Sequence, residues 1–203
     1  MAFLRSSLGQ EPSPVIRGRG VWLRPPQMSD YAAWAELRAA SREHLAPWEP
    51  LWPRDELTRS AFRRRLRHYA REQREDLGYA FFILDDRTDR LFGGLTLSNV
   101  RRGVTQAASL GYWLGAPFTK RGYMSEAVHA TLPFAFQVLK LHRIEAASMP
   151  ANTGSVGVLV RNGFTREGYA RRYLKINGRW EDHLLFAINA EEWSAAAGEG
   201  RGA

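Results

Sequence analysis

The chain has no cysteine among its 203 residues. Without thiols it can form neither a disulfide framework nor a zinc–thiolate site, and it cannot use an acyl-cysteine intermediate. Its histidines are scattered without ligand spacing, so we predict no metal site. No apolar run approaches the length that crosses a bilayer, and the first residues hold too short an apolar stretch for a signal peptide. We therefore expect a cytoplasmic protein that makes no membrane contact.

Lysine is nearly absent as well. Of the 29 basic residues, all are arginine except Lys120, Lys140 and Lys175. The net charge is +8, and the arginine bias can reflect genome base composition. Arginines crowd residues 59–74, where a helix with a basic outer face is predicted by the helical spacing of Phe62, Leu66, Tyr69 and Ala70. That face is either merely solvated or a docking surface for RNA, the ribosome or an acidic partner.

Length and composition fit a single domain. A chain of 203 residues with 44% hydrophobic and 12% aromatic residues can bury a full core. We place the domain at residues 15–194, between a flexible tail at 1–14 and a disordered tail at 195–203. Neither an internal repeat nor a linker divides it.

Strand and helix patterns are interspersed along the chain, so the predicted fold class is mixed α/β. Apolar or alternating runs predict strands at 21–24, 79–84, 91–97, 107–114, 143–148, 169–176 and 179–188. Helices are predicted at 30–45, at 59–74, after Gly122 and at 155–162. Asn177-Gly178 is a two-residue hairpin signal. Three prolines exclude regular structure over 46–53, and Pro133 should kink its helix near His129.

The most informative segment is 111–127, in which an apolar strand enters a basic, glycine-bearing loop and then a helix. The first turn of a helix carries unpaired N–H groups and the positive end of the helix dipole. The loop adds basic charge, and its glycine lets a ligand approach the backbone. The segment predicts either a phosphate site or a plain connection with a solvated Lys-Arg pair. The residues that would form the phosphate site are Lys120, Arg121, Gly122, Tyr123, Met124 and Ser125.

Three further motifs accompany this loop: Asn152-Thr-Gly-Ser155, Arg161-Asn-Gly-Phe164 and Tyr173-Leu-Lys-Ile-Asn-Gly-Arg-Trp-Glu-Asp-His183. Together with the loop they resemble the GNAT superfamily of acetyl-CoA-dependent N-acetyltransferases. The most similar branch is the RimJ/RimL type, which acetylates the N-terminal alanine or serine of ribosomal proteins. The resemblance runs from residue 20 to residue 193. The loop departs from the family pattern at two positions, with Lys120 at its first glycine and Pro117 at its Gln or Arg.

The resemblance implies a GNAT-like single domain with a central mixed, mostly antiparallel sheet flanked by helices. A parallel strand pair, 107–114 and 143–148, should splay apart at one end and admit the pantetheine arm of acetyl-CoA. A backbone N–H of Trp113 or Leu114 would then polarise the thioester carbonyl. Asn152 would contact the pantetheine or merely shape a turn, and Ser155 would lie beside the thiol. No metal is implied.

The catalytic set that the resemblance implies is incomplete. The tyrosine that several GNAT enzymes use as an acid falls at Leu159, and the glutamate base of part of the RimL branch falls at Leu174. Ser155 and Tyr173 are the remaining catalytic candidates. Ser155 could hold the leaving thiolate or simply begin its helix, and Tyr173 could substitute as acid or base or simply pack on its strand.

The proline-rich segment is expected on the acceptor side, as in RimJ-type proteins. There Trp48, Glu49 and Trp52 offer an apolar wall with a carboxylate that could hold a protonated amine, or they simply cover the core. We interpret Asp182 and His183 as a strand-end salt bridge and not as a catalytic pair.

Acetyl transfer from a thioester to an amine needs a neutral amine, a donor for the developing oxyanion and a proton for the thiolate. A free α-amino group has a pKa of about 7.7–8.0, against about 10.4 for lysine, so it needs no strong base near neutral pH. We therefore predict an acetyltransferase that acts by direct attack, without an acyl-enzyme, on the α-amino group of a protein or peptide, with a ribosomal protein as one acceptor. The alternatives are a small-molecule amine acetyltransferase of the same fold and a non-catalytic module that binds RNA or the ribosome.

Overall fold

The strands form one sheet with helices on both faces. The computed structural model describes residues 14–199. In that range the strands are β1 (Ile16–Gly18), β2 (Val21–Arg24), β3 (Tyr79–Asp85), β4 (Leu91–Arg101), β5 (Ala107–Leu114), β6 (Arg143–Ser148), β7 (Thr165–Ile176) and β8 (Arg179–Asn189). The helices are α1 (Tyr31–Ala40), α2 (Arg42–Leu45), α3 (Arg59–Arg74), α4 (Tyr123–Pro133), α5 (Thr153–Arg161) and α6 (Ala190–Glu199). Shorter turns are the 3₁₀ turns Met28–Asp30, Ala46–Trp48 and Ala116–Phe118 and the π turn Phe134–Val138.

The sheet has the order β1-β2-β3-β4-β5-β6-β8-β7. Every neighbouring pair is antiparallel except β5 and β6, which are parallel. Asn177 and Gly178 form the turn between β7 and β8 with φ angles of 43° and 83°, as a two-residue hairpin of this kind requires. The predicted mixed, mostly antiparallel sheet is confirmed.

The two parallel strands hold together at one end and separate at the other. The residue pairs that join them are Ala107–Arg143, Ala108–Ile144 and Ser109–Glu145. Beyond these pairs β5 stays with β4 as far as Leu114, and β6 stays with β8 as far as Ser148. Each strand thus follows its antiparallel partner, and a gap opens between them. This gap is the predicted splay.

Two hydrophobic clusters cover the two faces of the sheet. The larger cluster packs α4 and α5 against the sheet and includes Leu110 of β5 and Phe186 of β8. The smaller cluster centres on Trp34 of α1, Phe62 of α3 and Phe82 of β3. We call these sides the α5 face and the α3 face. Because strand side chains alternate between faces, even-numbered residues of β5 and β8 point to the α5 face and odd-numbered residues point to the α3 face.

Some boundaries differ from the prediction. The helix predicted at 30–45 is broken at Ser41, which leaves helical geometry with φ −104° and ψ 9°. The buried Ser41 hydroxyl accepts the N–H of Ala116 at 2.9 Å and so fixes the loop after β5. The segment 46–53 is not wholly irregular, since it begins with a 3₁₀ turn in which Pro47 takes an early position. The short strand β1, which pairs with β2, was not predicted.

The ends of two helices also depart from expectation. The predicted kink near His129 does not interrupt α4, which is α-helical through that residue to Pro133. The departure from α-helical hydrogen bonding comes after the proline, in the π turn, where the Leu139 N–H donates to the Phe134 carbonyl at 2.9 Å. α6 runs to Glu199, past the predicted domain end at 194, and begins with Glu192 accepting the N–H of Asn189 at 2.8 Å. The rest of the two predicted tails, residues 1–13 and 200–203, lies outside the described residues.

Candidate active site

The loop between β5 and α4 holds two residues in the left-handed backbone region. Gly122, the N-cap of α4, has φ 84°, and Lys120 has φ 59°. A glycine adopts this geometry freely, whereas a residue with a side chain stores about 1–2 kcal/mol there. Lys120 therefore supports a turn for which the family pattern has a glycine.

The first turn of α4 is open to a ligand. Gly122 has no side chain to cap the helix, and a Cβ built on it would meet no atom of the described chain within 4 Å. Arg161 of α5 approaches from the side, where its Nε donates to Ser125 Oγ at 3.2 Å. Uncapped N–H groups, the helix dipole and an arginine together make an anion site that suits a pyrophosphate.

This anion site is one end of a cleft of about 730 Å³ that includes the gap between β5 and β6. Ten of the predicted site residues line it: Trp48, Glu49, Trp113, Leu114, Lys120, Gly122, Met124, Ser125, Asn152 and Ser155. One cavity therefore brings together residues that the sequence analysis assigned to the pyrophosphate, the thiol and the acceptor.

Backbone direction distinguishes the two strand residues proposed to polarise the thioester. The Gly115 N–H donates to the Phe92 carbonyl, on the β4 side, at 2.9 Å. Because backbone groups alternate sides along an antiparallel strand, Trp113 also turns its N–H toward β4, and Leu114 turns its N–H toward β6. Leu114 therefore presents an N–H to the gap. Trp113 contributes its indole to the α3 face, where the Arg38 guanidinium lies 5.0 Å from the ring.

Ser155 and a tyrosine face each other across the gap. Asn152 caps α5 by accepting the Ser155 N–H at 3.1 Å. The Ser155 hydroxyl is 2.9 Å from the hydroxyl of Tyr112, which extends from β5. Burial raises the pKa of Tyr112 to about 12, although its hydrogen bond with Ser155 acts in the opposite direction. Tyr112 therefore keeps its proton near neutral pH and can act as a hydrogen-bond donor.

The Glu49 carboxylate is already occupied. It accepts two hydrogen bonds from Arg38, both at 2.7 Å, and one from Trp52 Nε1 at 2.8 Å. The Arg38 side chain is only 6% exposed, and its guanidinium lies 4.3 Å from the Trp52 ring centroid. The Asn177 N–H, in the β7–β8 turn, donates to the Glu49 carbonyl at 2.8 Å. The expectation that Glu49 holds a protonated amine does not fit this geometry, because its charge is neutralised inside a fixed wall.

Four predicted site residues do not line the cleft. Arg121 is exposed beside it. The Tyr123 ring stacks on Phe92 with centroids 4.3 Å apart, so only its backbone N–H faces the helix end. Trp52 lines a second cavity of about 340 Å³. Tyr173 lies on β7 and is 48% exposed.

Two unassigned residues of the cleft, Tyr112 and Arg161, come from elements that the sequence did identify. Neither has a spacing signal of its own, since each depends on how α5 approaches β5 and α4. Tyr112 meets a serine 43 positions away, and Arg161 meets a serine 36 positions away. Only the tertiary fold makes these contacts.

His183 also lines the cleft, although the sequence analysis gave it no role there. The predicted salt bridge with Asp182 is not among the contacts of the described chain. Asp182 instead accepts the Tyr169 hydroxyl at 2.5 Å and the Arg172 N–H at 2.7 Å. Consecutive strand residues point to opposite faces of the sheet, and this alternation separates the two side chains.

A splayed strand pair, an uncapped helix terminus and a hydroxyl pair around one cleft define an acyltransferase that binds coenzyme A. Residues 21–165 match the acetyltransferase (GNAT) domain model, and the chain belongs to that family. It is 37% identical over 174 residues to the probable N-acetyltransferase YjcK of Bacillus subtilis, covering 86% of this chain and 96% of that protein. It is 35% identical over 167 residues to the ribosomal protein uS5-alanine N-acetyltransferase of Escherichia coli, covering 81% of this chain and 86% of that protein. Mycobacterium smegmatis RimJ in complex with CoA-disulfide has a TM-score of 0.82 and 36% identity, covering 92% of this chain and 94% of that one.

The protein is thus an acetyl-CoA-dependent N-acetyltransferase, similar to RimJ, and a non-catalytic module is not supported. These relatives give no support for an RNA contact, and part of the α3 charge is paired internally, Arg64 with Asp55 and Arg65 with Glu56. Among residues 14–199 no three His, Asp or Glu side chains cluster as metal ligands. No helix in the described part of the chain is long and apolar enough to span a membrane.

Proposed function

We propose that the enzyme acetylates the α-amino group of a protein or peptide, and that a ribosomal protein beginning with alanine is its acceptor. The observation that supports this most is the single cleft, which includes the first turn of α4, the β5–β6 gap and Trp48. The acceptor class follows the named activity of the Escherichia coli relative, which is 35% identical over 167 residues. A ribosomal acceptor also agrees with the expected cytoplasmic location.

The gap supplies groups for both charges that develop during the transfer. Acetyl-CoA brings the acetyl group as a thioester. We assign the Leu114 N–H to the carbonyl oxygen, where negative charge grows as the amine attacks. We assign the Ser155 hydroxyl to the departing sulfur, with Tyr112 donating to Ser155 Oγ so that the serine hydrogen is directed toward the sulfur.

Direct attack is supported by the surroundings of Ser155. An acyl-serine would require a base at Ser155 Oγ, and the group in contact there is the Tyr112 phenol, whose pKa burial raises to about 12. A phenol that keeps its proton cannot activate the serine as a nucleophile. We infer that the amine attacks the thioester carbonyl itself.

The acceptor wall favours a peptide over a polycationic small amine. Its carboxylate, Glu49, is bonded to Arg38 and Trp52, and the nearby Glu56 is paired with Arg65. In the described part of the chain the wall thus offers aromatic surface, and both carboxylates are already paired with arginine. A polyamine would find no counter-charge there, whereas the uncharged backbone of a peptide needs none.

The test compares two peptides of the same length in a thiol-release assay at pH 7.5. One has a free N-terminal alanine, and the other has a blocked N-terminus and one internal lysine. We expect the lysine peptide to react at least a hundredfold more slowly, because only about one lysine in a thousand is neutral at that pH. Spermidine serves as the small-amine control. Comparable rates on the lysine peptide or on spermidine would overturn the assignment to N-termini.

A further inference from the structure

His183 occupies a position that packing alone does not require of a histidine. Its side chain is buried, with 3% of the residue exposed, yet it lines the cleft. It directly precedes Leu184, whose pair with Ser148 is the outermost register pair between β6 and β8. That pair lies at the end of β6 where β5 has already separated from it. His183 therefore stands at the open mouth of the gap.

One hydrogen bond fixes the protonation pattern of this imidazole. Nδ1 of His183 lies 3.0 Å from the backbone carbonyl oxygen of Glu181. A carbonyl oxygen can only accept, so Nδ1 must carry the hydrogen. In the neutral ring Nε2 is then the unprotonated nitrogen, which can accept a proton.

The imidazole faces the acceptor side of the sheet. As an odd-numbered residue of β8, His183 points to the α3 face, the face to which Trp113 and the Arg38–Glu49 wall belong, whereas Tyr112 and Ser155 belong to the α5 face. An amine that enters from the α3 face thus meets His183 on the side of the gap opposite to the hydroxyl pair.

The neighbouring strand is shaped around this residue. β7 is irregular between Ala170, which pairs with His183, and Leu174, which pairs with Glu181. Arg172 in this bulge has φ 47°, and Asp182 accepts its N–H. Bulges of this kind redirect side chains beside active sites.

Few ionisable groups surround the imidazole. The ring of Tyr173 in β7 meets the imidazole of His183 edge-on, with 5.8 Å between the two ring centroids. The exposed His44 and the Glu49 carboxylate line the same cleft, and Glu49 is paired with Arg38. Asp182, the neighbour of His183 on β8, accepts a hydrogen bond from the Tyr169 hydroxyl, and its side chain points away from the imidazole.

Resting on the proposed function, we propose that His183 is the general base that takes the proton from the acceptor's α-ammonium group. Nε2 accepts that proton, and the freed nitrogen lone pair forms the C–N bond of the amide as the C–S bond breaks. The attacking nitrogen then carries one hydrogen more than an amide, and it loses this second proton to water as the tetrahedral adduct collapses. The electron pair of the C–S bond leaves on sulfur, beside Ser155, and the thiolate takes a proton from water. The imidazolium then releases its proton to solvent, so the ring returns to its starting state and every proton is accounted for.

The test is the pH dependence of kcat for the alanine peptide in the parent enzyme and in His183→Gln. A general base contributes about 10²–10⁴-fold, so we expect a loss of about a hundredfold or more at pH 6.5. The loss should shrink to a few-fold at pH 9.5, where most of the α-amine is already neutral. His142→Gln is the control, since His142 lies on the surface as a half-exposed partner of Glu191. It should match the parent at every pH.

A second acceptor peptide distinguishes the loss of a general base in His183→Gln from damage to the fold. A peptide that begins with trifluoroalanine has a weakly basic amine, which is neutral without help, and His183→Gln should acetylate it within a few-fold of the parent rate. An equal loss on both peptides at every pH would make His183 structural, and no loss at pH 6.5 would make it a bystander. Either result overturns the proposal. If the parent enzyme acetylates neither peptide, the proposed function fails instead.

Discussion

Replacing Gly122 with alanine should weaken acetyl-CoA binding far more than it weakens the fold. In the free enzyme the added Cβ meets no atom of the described chain within 4 Å, so there is no clash. The residue must nevertheless keep φ near 84°, which costs about 1–2 kcal/mol for any residue with a side chain. For a chain of 203 residues this cost lowers Tm by about 2–8 °C.

Gly20→Ala reproduces the strain without the ligand site. Gly20 lies between β1 and β2, has φ 75°, and its Cβ would also meet no atom within 4 Å. The strand order places β1 at the outer edge of the sheet, four positions from β5. We expect similar Tm losses in both variants. Only Gly122→Ala should raise the Kd for acetyl-CoA, by at least about tenfold or 1.4 kcal/mol, because its methyl fills the approach to the first-turn N–H groups.

Calorimetry measures both quantities: scanning calorimetry gives Tm, and titration with acetyl-CoA gives Kd. Parent-like affinity in Gly122→Ala would remove this loop from the cofactor site. An equal loss of affinity in both variants would assign the effect to backbone strain and would refute the reasoning in the same way.

Three further outcomes are expected. Ser155→Ala should lower kcat about 10–100-fold, with a smaller change in KM for acetyl-CoA. Adding Tyr112→Phe to Ser155→Ala should lower kcat little further, because both hydroxyls serve one hydrogen bond to sulfur. Steady-state kinetics of the two single variants and the double variant would contradict this if the two losses in kcat multiply. In the parent enzyme kcat should stay level from about pH 8, where the α-amine is largely neutral, to about pH 10, since burial raises the pKa of Tyr112 to about 12. A fall in kcat near pH 9 would count against the role of Tyr112. Arg38→Met should cost about 3–5 kcal/mol in urea unfolding by leaving Glu49 unpaired, and Arg38→Met/Glu49→Leu should recover most of that loss.

Much of the fold was predictable because it depends on local rules. β5 and β6 occupy the predicted ranges, 107–114 and 143–148. Two turns were also visible, since Gly122 and Gly178 adopt φ angles of 84° and 83°, where glycine is favoured over other residues. The parallel pairing of β5 with β6 and the splay between them do not follow from local sequence rules. They came from the resemblance of the motifs to a family, and the register of β5 and β6 confirms them.

The parts of the site that the sequence did not reveal are those made by distant contacts. Ser41 accepts the Ala116 N–H across 75 positions, at the residue where the predicted helix is broken. Glu49 looked like a free carboxylate because its partner, Arg38, lies on a different element. His183 was assigned to Asp182 because the two are adjacent in sequence. Strand alternation sends them to opposite faces, and this alternation could have excluded the pair from the sequence alone.

The proposed base and the proposed acceptor can be tested independently, because selectivity between amines does not depend on the base. With reference pKa values of about 8 for an α-amine and 10.4 for lysine, proton transfer to the same acceptor costs more from lysine than from the α-ammonium. The difference, about 3 kcal/mol, corresponds to more than a hundredfold in rate. Water as the proton acceptor would meet the same difference between the two amines. The His183→Gln variant should therefore lose rate on the alanine and lysine peptides alike, with the ratio of their kcat/KM values kept within a few-fold at pH 7.5. A ratio that collapsed in this variant would mean that His183 selects the acceptor by contact and does not act as a base.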